Sequence, residues 1–129
     1  MLTIKVKTVQ KQSMIDVTKQ IALKVKESGV ASGVCTIFVP HTTAGITMQV
    51  STDPDVKLDM IDAIERLVPM KAKYRQPDGN THAHIKASLV GSSVTAIVEN
   101  RKLVLGTWQG IFLCEFDGPR DRSLLVRVS

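Results

Sequence analysis

The chain has 129 residues, a net charge of +5 and a hydrophobic fraction of 43%, which fits one domain able to bury roughly two thirds of its unfolded surface. No apolar run approaches the roughly 20 residues of a membrane span, and Met1 to Lys7 alternates in character without a signal-peptide core, so a single cytoplasmic domain over residues 1–129, with no membrane partner, is expected. Lys and Arg are scattered along the whole chain, with Lys71-Ala72-Lys73-Tyr74-Arg75 as the tightest group; such an excess reads as a solvated surface and argues against dedicated nucleic-acid binding.

Leu2 to Val9 alternates, with Leu2, Ile4 and Val6 on one side, and predicts a half-buried strand; a short second strand precedes Asp16. Asp16 is a plausible N-cap, Val17, Ile21 and Val25 recur every four residues, and Gly29 suits the left-handed position after the last turn. A helix from Asp16 to Ser28 follows. Gly33 to Val39 is apolar on both faces and suits a central strand, ended by Pro40. Ala44 to Val50 alternates again, which leaves His41 in the turn between two strands.

Asp53-Pro54-Asp55 is a strong helix start, with Val56, Met60, Ala63, Ile64 and Leu67 as its expected buried stripe and Pro69 as its stop. Lys71 to Thr81 is a polar loop containing the turn sequence Pro77-Asp78-Gly79-Asn80. Asn80 or Thr81 can cap a short helix through Val90. After Ser93 only strands are expected: one around Val94 to Val98, a turn at Asn100-Arg101 into a strand with Leu103 and Leu105, then Ile111 to Asp117, and a last strand from Leu124 to Val128 after Gly118-Pro119-Arg120. The order is two strands, a helix, two strands, two helices and four strands. It predicts an α+β fold of mostly antiparallel strands in two packed sheets, a β-sandwich with helices. Cys35 and Cys114 each lie inside an apolar run and form no CxxC pair, so buried reduced thiols are expected.

All three histidines fall in two motifs, Pro40-His41-Thr42-Thr43-Ala44-Gly45 and Asn80-Thr81-His82-Ala83-His84-Ile85-Lys86-Ala87. Imidazole is the commonest neutral metal ligand, and three His with an open fourth position is a known catalytic zinc arrangement. In a helix His82 and His84 would point about 200° apart, so they share a metal only if their segment is extended or lies at the helix mouth. By spacing alone, ordinary loop histidines remain the alternative. The acids Asp53, Asp55 and Asp59 sit at a helix start; Glu115 and Asp117 share one face of an apolar strand, as structural ion-pair partners or as groups that handle a proton or a metal. A third group is basic and amide-rich: Lys86, Arg101, Arg120, Arg122 and Gly106-Thr107-Trp108-Gln109-Gly110. Trp108 can stack on a planar ligand or plug the core, and Arg120 after Gly118-Pro119 can reach a phosphate.

These segments together resemble the YjbQ-like family, also called the secondary thiamine-phosphate synthase family. The resemblance is carried by Phe38 to Thr47, Asp53-Pro54-Asp55-Val56, His82 to Leu89, Leu103 to Ile111 and Glu115-Phe116-Asp117-Gly118-Pro119-Arg120, and covers nearly the whole chain. It implies two sheets with helices, a homotrimer around a threefold axis, and a metal site at His41, His82 and His84. It also implies a weak thiamine-phosphate synthase activity, in which hydroxymethylpyrimidine diphosphate joins a thiazole phosphate and releases pyrophosphate. On that reading the cofactor is a divalent metal, Zn²⁺ first and Mg²⁺ with a diphosphate substrate, and the partner is a small phosphorylated molecule. Asp53, Asp55, Glu115 and Arg120 are the expected catalytic residues; Thr42, Thr43, Lys86, Trp108 and Gln109 are the expected substrate contacts. The alternative is a non-catalytic, metal-dependent binding or regulatory trimer. Two departures from the family pattern stand out: Met48-Gln49-Val50 where the family continues Ile-Asn-Glu, and Asn100-Arg101 in place of an Asn-Gly turn.

Overall fold

The computed structural model describes residues 1–77 and 79–129, so Asp78 of the expected Pro77–Asn80 turn lies outside the described residues. In chain order the elements are β1 (Leu2–Lys7), β2 (Ser13–Asp16), α1 (Thr18–Ser28), β3 (Gly33–Phe38), β4 (Ala44–Val50), α2 (Pro54–Leu67), α3 (Thr81–Val90), β5 (Ser93–Glu99), β6 (Lys102–Val104), β7 (Gln109–Glu115) and β8 (Asp121–Val128). They form a five-stranded sheet in the order β1-β8-β3-β5-β6 and a three-stranded sheet in the order β2-β7-β4, with antiparallel pairing throughout. The α+β, two-sheet expectation therefore holds.

The main core lies between the sheets and α1. Ile4, Cys35, Ile37, Val98, Leu124 and Val126 from the large sheet meet Ile46, Ile111 and Leu113 from the small one, with Ile21 and Val25 of α1. Each such fully buried aliphatic side chain is worth roughly 1.5–3 kcal/mol. Strand β7 is apolar on both faces because its other face serves a second cluster, in which Phe112 and Cys114 join Met14, Phe116 and Ala83 and Ala87 of α3. Both cysteines are buried free thiols, and burial pushes the Cys114 thiol up to about 12.

Several boundaries differ from the sequence reading for identifiable reasons. Strand β1 ends at Lys7 because Thr8 turns aside: its N–H donates to the Arg120 carbonyl at 2.9 Å and its hydroxyl to Glu115 at 2.7 Å. Asp16 is the last residue of β2, and its carboxylate accepts from the Thr18 N–H at 3.0 Å just inside a helix that begins at Thr18. The stripe expected to be buried on α2 is not. No α2 residue is fully buried, Leu67 is 77% exposed, and Met60 and Ile64 only lean on the second cluster, whose face α3 already occupies. Strand β3 is central, but its outward face is open, and Val34 and Phe38 there, with Ile97 of β5 and Val104 of β6, remain exposed. No described helix is long and apolar enough to cross a membrane.

The β5–β6 hairpin turns on Asn100 (φ 52°) and Arg101 (φ 64°), both left-handed. Asn tolerates this conformation; for Arg it costs about 1 kcal/mol or more. Arg101 is exposed, and its backbone N–H donates to Ala31, a bond glycine keeps. Arg101→Gly should therefore raise unfolding stability by about 0.5–1 kcal/mol in urea titration. A lower midpoint would contradict the strain account.

Candidate functional site

The β3–β4 loop, the start of β4, helix α3 and the β7–β8 turn meet at one corner of the molecule. Glycine permits the approach: a Cβ on Gly45 would lie 2.8 Å from the Gly91 carbonyl oxygen, while the neighbouring Ile46 N–H donates to that same oxygen at 3.0 Å. Between these elements lies a cleft of two adjoining lobes. One, of about 340 Å³, is lined by His41, Thr42, Ala44, His84, Ala87 and Ser88, with Gly91 and Ser92. The other, of about 330 Å³, shares His41, Thr42 and His84 and adds Pro40, Thr43, Asn80, Arg120 and Arg122.

Behind the second lobe two acids hold two arginines. Glu115, on the central strand of the small sheet, is fully buried. It pairs with Arg122 of β8 through two guanidinium nitrogens, accepts from Thr8 and takes the Asp117 N–H at 3.0 Å. Burial alone would raise its pKa, but Arg122, the Asp117 N–H and Thr8 together hold it below the usual range. The Arg122 Nη2 also donates to the Thr43 hydroxyl at 2.8 Å. Asp117 accepts from Lys11 at 2.7 Å, Arg120 Nη2 at 2.8 Å and Asn80 at 3.1 Å. Against the opposing effect of burial, those contacts keep its carboxyl well below the usual range. The Arg120 Nε donates to the Asp117 carbonyl at 2.8 Å. Both arginines are thus fixed through Nε and Nη2, and each keeps Nη1 without a protein partner among the described residues.

The three histidines are not brought together. Thr81–Val90 is helical through both His82 and His84, so the two point to different sides. His84 shares the cleft with His41, and its ring has no protein partner among the described residues. His82 is fully buried on the other side. Its Nδ1 lies 2.9 Å from Lys86 Nζ and its Nε2 has no partner among the described residues. Burial, and next the Lys86 ammonium, lower its pKa. Among the described residues no group of three or more His, Cys, Asp or Glu could hold a metal ion. The donor set among the described residues of this chain therefore does not fit a three-histidine zinc centre.

The remaining expected residues divide in the same way. Thr42 lines the cleft, and Thr43 steadies Arg122. Lys86 turns away from it, fully buried, donating to Glu65 at 2.6 Å and Gln12 at 2.8 Å. Asp53 caps α2, accepting from the Asp55 N–H at 3.0 Å, and both acids are exposed away from the cleft. Gln109 pairs with Val50 at one end of β4 and Glu115 with Ala44 at the other, about 20 Å away by strand rise. Trp108, 64% exposed, and the Val50 departure lie at that far end, outside the cleft. Among the polar residues that line the cleft, Asn80, Ser88, Ser92 and Arg122 are not among the expected catalytic, substrate or metal residues. Arg122 carries the strongest signal, since Glu115 on an apolar strand requires a buried cation.

Residues 2–129 match the family described as UPF0047 protein YjbQ-like. The chain is 46% identical to the UPF0047 protein YugU of Bacillus subtilis, over 98% of this chain and 96% of that one. It is also 46% identical to a UPF0047 protein of Methanocaldococcus jannaschii, over 95% and 89%. Among solved structures, a conserved yjbq/upf0047 family protein from Clostridium acetobutylicum superposes with a TM-score of 0.98 at 47% identity, covering both chains fully. A YbjQ-like protein from Sulfolobus solfataricus gives 0.93 at 35% identity, over 98% and 93%.

The Glu65–Lys86 contact sets an acid dependence. Burial would raise the Glu65 pKa, but hydrogen bonds from Lys86, the Met70 N–H and Gln12 bring it down to about 2 from 4.5. A depressed folded-state value adds stability that is present above 4.5 and lost as pH falls toward 2. Unfolding stability should therefore fall across that interval, and Glu65→Gln should make the fall shallower. Equal slopes in urea titrations at pH 5 and pH 3 would remove Glu65 from the account.

Proposed function

Because the chain belongs to the UPF0047 YjbQ-like family, we propose that its cleft takes the phosphoryl groups of a small phosphorylated molecule and supports a weak thiamine-phosphate synthase-type transfer. One observation carries this reading. The second lobe is lined by Arg120, Arg122, His41, His84, Thr42, Thr43 and Asn80, and no carboxylate lines it among the described residues. A site rich in N–H and O–H donors with two fixed guanidinium groups favours an oxyanion. When a diphosphate leaves as pyrophosphate, negative charge builds on the leaving oxygens. Arg120 and Arg122 offer their free Nη1 groups to that charge, and Asp117 and Glu115 prevent the guanidinium groups from reorienting. Glu115 and Asp117 thereby serve as supports and Glu115 is no proton acceptor, since its oxygens already accept from Arg122, Thr8 and the Asp117 N–H.

A second reading is a non-catalytic, metal-dependent binding trimer. It is favoured by the His84 ring, which has no protein partner among the described residues and could take a divalent ion, Zn²⁺ or Mg²⁺, together with ligand oxygens. Turnover separates the two: pyrophosphate release under multiple-turnover conditions supports the enzyme, and chelator-sensitive binding without turnover supports the alternative. Titrating pyrophosphate into the wild-type protein and Arg120→Lys should show about tenfold weaker binding for the variant, because lysine keeps the charge and loses the fork. Equal affinities would take Arg120 out of the site.

A homotrimer belongs to the same proposal. The open face of the five-stranded sheet carries Val34, Phe38, Ile97 and Val104, and burying such a patch between subunits is a stabilising use of it. Light scattering at micromolar concentration should give three times the 14.1 kDa chain mass, and Phe38→Glu should lower it. A monomeric wild-type mass would reject the assembly.

A further inference from the structure

We propose that His41 is a fixed, neutral N–H donor to the oxyanion in the cleft, and neither a metal ligand nor a proton acceptor; the identity of the ligand rests on the reading above. The argument starts from the backbone of β8. The Ser123 N–H donates to His41 Nε2 at 2.9 Å, so Nε2 must carry a lone pair. A neutral imidazole has one N–H, which then sits on Nδ1. Among the described residues Nδ1 has no protein partner and is not sealed from solvent, while the ring lines both lobes of the cleft.

This arrangement excludes the two roles usually given to a cleft histidine. A metal on Nδ1 would need the ring proton on Nε2, where it would face the Ser123 N–H. Accepting a proton at Nε2 would break the same hydrogen bond and place a second cation against Arg122, whose Nη2 is bound to the adjoining Thr43. What remains is donation through Nδ1, from a ring that lines the same lobe as Arg120 and Arg122. The backbone N–H, a group that does not titrate, thus sets the tautomer.

Glutamine can imitate this pattern, with its carbonyl accepting from Ser123 and its amide donating to the cleft, but it is a poor metal ligand and does not titrate. Inorganic phosphate would be titrated calorimetrically into the wild-type protein, His41→Gln and His41→Ala. The expected result is affinity within about threefold of wild type for Gln and about tenfold weaker for Ala. A metal or proton-acceptor role requires Gln to be as defective as Ala, and that outcome overturns the assignment. The long-range ¹H–¹⁵N spectrum of the wild-type protein reads the tautomer independently, with only three histidines to assign through their Gln variants. An Nδ1–H ring supports the proposal; an Nε2–H or metal-bound ring overturns it even if His41→Ala fails to fold. Absence of phosphate binding by the wild-type protein with an Nδ1–H ring would instead overturn the oxyanion as ligand, and with it the cleft reading.

Discussion

The buried pair of Glu115 and Arg122 is the contact on which the candidate site depends. Glu115 belongs to the middle strand of the small sheet and Arg122 to β8 of the large one, so the pair ties the two sheets together where the chain passes from one to the other. Around it gather the end of β1 through Thr8, the β3–β4 loop through Thr43 and the β7–β8 turn through the Asp117 N–H. Removing either charge would leave the other buried without its counter-ion, at a cost of about 3–5 kcal/mol. That is a large share of the roughly 5–15 kcal/mol by which domains are stable. Replacing both with apolar groups would be tolerated far better energetically, but would remove a guanidinium from the cleft.

Much of the fold is legible from local pattern. The capping aspartate and the proline that opens α2, Gly29 after α1 and the alternation of β1 and β5 each place an element within a residue or two. Periodicity does not reveal what will cover a face. Helix α2 has an apolar stripe as regular as that of α1, but α1 lies in the main core, whereas α2 reaches a surface already taken by Ala83 and Ala87. Likewise β3, apolar on both sides, is central within its sheet and uncovered outside.

Of the three histidines, His41 and His84 line one cleft and His82 does not. The spacing of His82 and His84 already required a departure from helix for the two to converge, and Thr81–Val90 makes no such departure. Lys86, four residues after His82, lies one turn away on the same face, which is why it meets the imidazole instead of the cleft. The pairing of Glu115 with Arg122 was open as an ordinary ion pair. Its consequence for Thr43 and the cleft depends on strand crossover, which local sequence does not encode. The tautomer of His41 depends on a backbone N–H 82 residues away, a relation of tertiary structure alone.

Helix α2 has a different kind of attachment from the rest of the molecule. With no fully buried residue of its own, it is held by half-buried Met60, Ile61 and Ile64 and by the Glu65 carboxylate on the Lys86 ammonium. Few buried apolar contacts and one charged contact are the features expected of a segment that opens at lower free energy than the core strands. Swinging α2 away would leave the buried Lys86 side chain with only Gln12 and His82 as partners among the described residues, so the Glu65–Lys86 pair acts as a latch that resists opening at neutral pH and loosens as Glu65 protonates in acid.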